Sequence, residues 1–127
     1  MKIASWPFYD SQQIEAVSRV LYSRNVNTWT GKETSAFESE YAQFCSVPYS
    51  IAVCNGSLAL SLAYLALGIG LDDEIITTPR TFIATASSAV LLRAKPVFAD
   101  VDAESGAITA STIAPLITSR TKAIVVV

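Results

Sequence analysis

The sequence predicts an α/β protein, a mostly parallel sheet with flanking helices, and two observations carry that expectation. From Tyr49 onward short apolar runs alternate with segments of helical length, and strands joined through helices pair in parallel by right-handed crossovers. The run Ala123-Ile124-Val125-Val126-Val127 is almost continuously apolar, the pattern of a strand buried on both faces. With 127 residues, 51% of them apolar, the chain can enclose one core of ordinary size.

Taken in order, residues 1–48 read as an N-terminal helical segment and residues 49–127 as the first part of the α/β domain. Ser11 to Ser23 carries Ile14, Val17, Val20 and Leu21 at helical spacing, with Asp10 or Ser11 as cap. Lys32 to Phe44 repeats the pattern with Phe37, Tyr41 and Phe44, an aromatic face expected to lie on a core. Strands are expected at Ser50–Cys54, Glu74–Thr78, Pro96–Val101 and Lys122–Val127, and helices at Ser57–Leu67, Phe82–Leu92 and Ser111–Ile117. Gly68-Ile69-Gly70 follows a helix and precedes Leu71-Asp72-Asp73-Glu74, so it reads as a helix stop and not as a dinucleotide fingerprint. The chain stops inside its most hydrophobic strand with no helix to cover it. Val127 therefore reads as a truncation point in a longer natural protein.

Composition removes several functions. Histidine is absent, which excludes Ser-His-Asp and Cys-His catalysis and any imidazole metal site within these residues. Cys45 and Cys54 make neither a disulfide framework nor a zinc signature and are expected in the core. A net charge of -2 without a basic run offers no footprint for nucleic acid. Asp72, Asp73, Glu74, Arg80 and Arg93 interrupt the hydrophobic half before it reaches the ~20 residues of a membrane span. The N-terminus lacks a signal-peptide pattern, so the expected compartment is the cytoplasm. Only 16% of residues are charged, and some of the apolar surface is expected to meet another chain or further sequence.

Ligands of open parallel sheets bind at the C-terminal ends of the strands. Asn55-Gly56-Ser57 stands at one such end. There the first free N–H groups of a helix, its positive dipole end and a serine hydroxyl converge, as phosphate binding requires. The alternative is a glycine for tight geometry and a serine helix cap. Thr81-Phe82-Ile83-Ala84-Thr85 follows the next apolar run, where Phe82 either stacks on a flat ligand or enters the core. Asp100 and Asp102 flank the third strand's end and read as turn residues, since a metal would need further ligands.

A series of motifs spans nearly the whole chain. It runs from Trp29-Thr30-Gly31 ahead of the Phe37-Glu38 helix, through Asn55-Gly56-Ser57-Leu58-Ala59-Leu60 and Leu67-Gly68-Ile69-Gly70, to Asp73-Glu74-Ile75-Ile76 and Thr81-Phe82-Ile83-Ala84-Thr85. Pro96-Val97-Phe98-Ala99-Asp100-Val101-Asp102 and Arg120-Thr121-Lys122-Ala123-Ile124 complete it. In order and spacing the series resembles the DegT/DnrJ/EryC1/StrS family, mostly pyridoxal-phosphate-dependent sugar aminotransferases.

The resemblance implies the N-terminal part of the large domain of the type I aminotransferase fold, with pyridoxal 5'-phosphate as cofactor. Gly56 and Ser57 would hold the cofactor phosphate and Phe82 would stack on its ring; Ser57 stands where the family more often has threonine, which keeps the hydroxyl. The implied substrates are an amino-acid donor, glutamate by family analogy, and a keto-sugar, free or nucleotide-linked, in polysaccharide or sugar-derivative biosynthesis. A homodimer is implied for the full-length protein.

The chemistry needs a Schiff-base lysine and an acid at the pyridine nitrogen. In the family both lie beyond residue 127, so these residues alone are expected to be inactive and to contain no catalytic residue. Lys122, at the start of its strand, stands at the wrong end of the sheet, and Lys2, Lys32 and Lys95 read as solvated surface. Two alternatives go with the resemblance, a sugar dehydratase using the same cofactor site and a non-catalytic regulator that keeps the fold; the residue at the lysine position separates them. A third reading is an unrelated phosphate-binding α/β domain, favoured if Gly56 and Phe82 face no shared pocket.

Overall fold

The computed structural model describes residues 6–127. The chain divides into a compact unit ending at Ala52 and a second, Val53–Val127.

The first unit holds α1 (Ser11–Ser23) and α2 (Glu33–Phe44). Asp10 caps α1 through a capping box with Gln13, its carboxylate accepting from Gln13 N at 2.9 Å while Gln13 Oε1 accepts from Asp10 N at 2.9 Å. Between the helices Asn27 Oδ1 accepts from Trp29 N and Thr30 N at 2.9 and 3.1 Å. Glu38 Oε1 accepts from Ala52 N at 2.8 Å, fixing the extended segment after α2. The aromatic face expected on a core is instead exposed: Phe37, Tyr41 and Phe44 pack on one another, with ring centroids 5.6 and 6.1 Å apart, and the buried residue of α2 is Ala42. Ile14, Val17 and Leu21 of α1 are likewise exposed. A helical apolar stripe states which face seeks burial and not what is present to cover it.

The second unit is a three-stranded parallel sheet with helices on both faces. Its elements are α3 (Gly56–Ala66), β1 (Glu74–Thr77), α4 (Ala84–Leu91), β2 (Lys95–Phe98), α5 (Ala110–Ile113) with a 3-10 turn at Ala114–Leu116, and β3 (Thr121–Ile124). The spatial order is β2-β1-β3, all parallel. Alternation along β1 builds two cores. Ile75 packs with Tyr64, Ile69, Ala89 and Ala94, on the side of α3 and α4, and Ile76 packs with Ala99 and Ile108 on the side of α5. Pro96 is accommodated because β2 is an edge strand.

Three expectations are corrected here. Residues 50–54 form no strand, because strand structure exists only through a partner's hydrogen bonds and none of β1, β2 or β3 pairs with them. Among the described residues the Lys122–Val127 run is not buried on both faces: β3 is an edge strand of the three-stranded sheet, alternating half-buried and exposed, and central β1 alone is buried throughout. Cys45 and Cys54 are exposed and not core residues; one ends α2, and the other precedes α3, where its Sγ accepts from Asn55 Nδ2 at 3.3 Å.

At the N-terminal edge of the sheet Glu74 is buried and accepts from Thr118 Oγ1 at 2.6 Å and Arg120 Nη2 at 2.8 Å, with Lys95 Nζ 4.0 Å away. One carboxylate thus ties the starts of all three strands, across the irregularity in the β1–β3 register. The Thr118 hydroxyl, followed by Arg120 and Lys95, holds its pKa below the ordinary 4.5 against the opposing effect of burial.

Candidate cofactor-phosphate site

The site is built on the first turn of α3. Asn55, in extended backbone, is the N-cap, and its Oδ1 accepts from Leu58 N at 2.9 Å. The cap is therefore Asn55 and not Ser57, whose hydroxyl forms no hydrogen bond among the described residues. An α-helix leaves its first N–H groups without intrahelical partners. With Leu58 N taken by Asn55 and Ala59 N by the Asn55 carbonyl at 3.1 Å, the N–H groups of Gly56 and Ser57 remain free beside the Ser57 hydroxyl. A Cβ at Gly56 would meet nothing within 4 Å, so the space on that side is open. Two backbone donors, one hydroxyl donor and the positive end of an eleven-residue helix suit a phosphate dianion. The donor set fits the phosphate of pyridoxal 5'-phosphate.

Ser57 opens onto a hollow of about 310 Å³ lined by Cys54, Asn55, Ser61, Ser87 and Ser88, with Leu58 and Leu91 as its apolar wall. Neither Gly56 nor Phe82 lines it. Phe82 precedes α4 and is 75% exposed, which removes the core alternative and leaves its ring face free. Phe82 and α3 are connected through α4. Ser88 Oγ donates to the Ser57 carbonyl at 3.2 Å and Tyr64 Oη donates to the Thr85 carbonyl at 3.1 Å, so the start of α4 is held against α3. Burial pushes the Tyr64 phenol pKa up, keeping it a neutral donor.

Sequence reading missed Ser88 and the capping role of Asn55. An asparagine directly before Gly-Ser at a helix start signals the cap, whereas a serine on α4 reaching a carbonyl on α3 has no sequence signature. Asp100 and Asp102 are turn residues. Asp100 accepts from Val101 N at 2.8 Å, and Asp102 accepts from Ser105 N and Ser105 Oγ at 2.8 and 2.9 Å, bonds that lower its pKa. Lys122 is exposed near the start of β3, the edge opposite the one where Phe82 follows β1. Lys95 is 68% exposed.

Known structures share this fold. The aminotransferase from Psychrobacter cryohalolentis superposes with a TM-score of 0.94 at 50% identity over 98% of this chain and 32% of that one. Helicobacter pylori PseC, an aminotransferase involved in the biosynthesis of pseudoaminic acid, gives 0.85 at 34% identity over 94% of this chain and 32% of that one. Spr1654 of Streptococcus pneumoniae, in its PLP form, gives 0.84 at 26% identity over 93% and 30%. The chain spans about a third of the length of these structures, which have the type I aminotransferase fold. The sequence profile of the DegT/DnrJ/EryC1/StrS aminotransferase family matches residues 7–127, and the chain belongs to that family.

Proposed function

We propose that the full-length protein is a pyridoxal-phosphate-dependent aminotransferase that moves an amino group from an amino acid, glutamate by family analogy, onto a keto-sugar, free or nucleotide-linked. The observation that carries this reading is the uncommitted donor set of Gly56 and Ser57, released by the Asn55 cap. Family membership and the likeness to PseC support the sugar as acceptor. Gly56 N–H, Ser57 N–H and Ser57 Oγ would hold the phosphate, and the exposed ring of Phe82 would stack on the pyridine. When bound, the cofactor would supply an aldehyde carbon able to carry the amino group and a ring that serves as electron sink. This chain's residues would orient it, the phosphate grip at one end of the ring system and Phe82 at one face.

No helix among the described residues is long and apolar enough to cross a membrane. The reading places the enzyme in the cytoplasm as a homodimer, which the exposed apolar side chains of α1 and α2 support. Reconstitution of the full-length protein with pyridoxal phosphate tests the proposal. The expected result is cofactor absorbance in the wild type and affinity about tenfold weaker in Ser57→Ala, which deletes one hydrogen bond to a charged group. A wild type without cofactor absorbance overturns it.

A further inference from the structure

The loop between β1 and α4 carries a second polar feature, Arg80, that the cofactor reading leaves unused. It lies at the carboxyl edge of the sheet, two residues before Phe82. Its backbone N–H donates to Thr78 Oγ1 at 3.1 Å, and its Nη1 donates to the carbonyl of Gly106 at a long 3.4 Å. Gly106 belongs to the loop after β2, the strand beside β1, so the guanidinium bridges the loops that leave two neighbouring strands.

The guanidinium lies directly over Gly106. A Cβ on Gly106 would collide with Arg80 Nη1 and stand 3.0 Å from Cζ, so the guanidinium occupies the space that a side chain at 106 would need. Gly106 has φ +68, a conformation that favours glycine independently. The loop beneath is tied at several points: Gly106 N donates to the Asp102 carbonyl at 2.8 Å, Asp102 N donates to the Ala107 carbonyl at 2.9 Å, and the Asp102 carboxylate takes both Ser105 donors. Arg80 is exposed, and among the described residues it makes no ion pair, not even with Asp102 or Glu104 of that loop. A guanidinium brought over this loop by one long hydrogen bond, with most of its N–H fork unspent, on the ligand-binding edge of a parallel sheet, is placed to receive an oxyanion.

We propose that Arg80, seated on Gly106, anchors an oxyanion of a substrate: the carboxylate of the amino donor or a phosphate of a nucleotide-linked sugar. It is a positioning residue, and the assignment rests on the aminotransferase reading for the identity of those substrates.

The test is calorimetric titration of the full-length protein with inorganic pyrophosphate and, separately, with glutarate. Each is run after saturation with pyridoxal phosphate, which fills the Gly56–Ser57 cradle, and again without it. One anion is expected to bind the wild type, and which one binds identifies the source. Arg80→Ala should weaken it about 10- to 100-fold, the loss of a charge-assisted pair, and Arg80→Lys, which keeps the charge and loses the fork, by less. Gly106→Ala should weaken it as Arg80→Ala does while the arginine remains, because the new methyl displaces the guanidinium. If neither anion binds, or if Arg80→Ala binds as tightly as wild type, the proposal is wrong; melting temperatures lowered without a change in anion affinity would assign Arg80 to loop bracing alone. A wild type without cofactor absorbance defeats the aminotransferase reading separately, and the difference between wild type and Arg80→Ala in the cofactor-free titration still decides Arg80, since binding at the empty Gly56–Ser57 cradle is common to both.

Discussion

At the scale of single residues, the assignment of a hydrogen bond separates two readings that are identical in sequence. Asn-Gly-Ser before a helix supports either a serine cap or an asparagine cap, and only the second leaves a hydroxyl for a ligand. The bond from Leu58 N to Asn55 Oδ1 decides for the second. Asn55→Ala should therefore destabilise the unit by about 1 kcal/mol, the usual worth of an N-cap, measurable by urea denaturation. Phe82 is the complementary case. Because it is 75% exposed, Phe82→Ala should change stability by no more than about 0.5 kcal/mol. The same substitution should weaken cofactor binding several-fold, up to about tenfold, through the lost stacking. A large stability loss with unchanged cofactor absorbance would return Phe82 to a packing role.

At the scale of elements, helix ends show what was readable and what was not. Helices α2, α3 and α4 all finish in the same left-handed turn, with Ser46 at φ 55, Gly68 at φ 69 and Arg93 at φ 65. In each the two capping bonds are present, for example Gly68 N to the Leu65 carbonyl at 2.9 Å and Ile69 N to the Tyr64 carbonyl at 3.0 Å. Only the second was legible in sequence, because only glycine advertises the left-handed region. Arg93→Gly should stabilise the protein by about 0.5 to 1 kcal/mol, since relief of the side-chain clash exceeds glycine's entropic cost; a lowered urea midpoint would contradict this. The expected helix from Phe82 begins at Ala84, and the expected strand over 50–54 does not form. Apolar periodicity reports a tendency to be buried, while a strand also needs a neighbour and a helix a satisfied first turn.

At the scale of the whole molecule, charge couples stability to pH. Glu74 and Asp102 both have pKa values below their ordinary 4.5 and 3.8 in the folded protein, Glu74 first through the Thr118 hydroxyl and Asp102 first through the Ser105 N–H. The folded state thus binds fewer protons than the unfolded one in this range. Their stabilisation is present above the ordinary carboxylate values and is lost as pH falls through them toward the lower folded values. Urea midpoints should decline as pH falls below about 5. Glu74→Gln should lower the midpoint at neutral pH and flatten that decline, because the amide keeps the shape, accepts less strongly and does not titrate. A mutant with the wild-type slope would show that Glu74 contributes nothing to the coupling.

The alternation of strands and helices, the five helical segments, the glycine stop at Gly68 and the family's motif series follow from sequence alone. All are written in local chemistry: side-chain period, backbone freedom and the order of residues along the chain. The tertiary structure decided which apolar faces are covered, that β1 and not β3 is the buried centre, that Asn55 rather than Ser57 caps α3, and that Phe82 stands free. It also brought Arg80 onto Gly106, 26 residues away in sequence. Each of these depends on a partner distant along the chain, and a hydrogen bond or a packed surface belongs to both of its partners, so neither local pattern contains it.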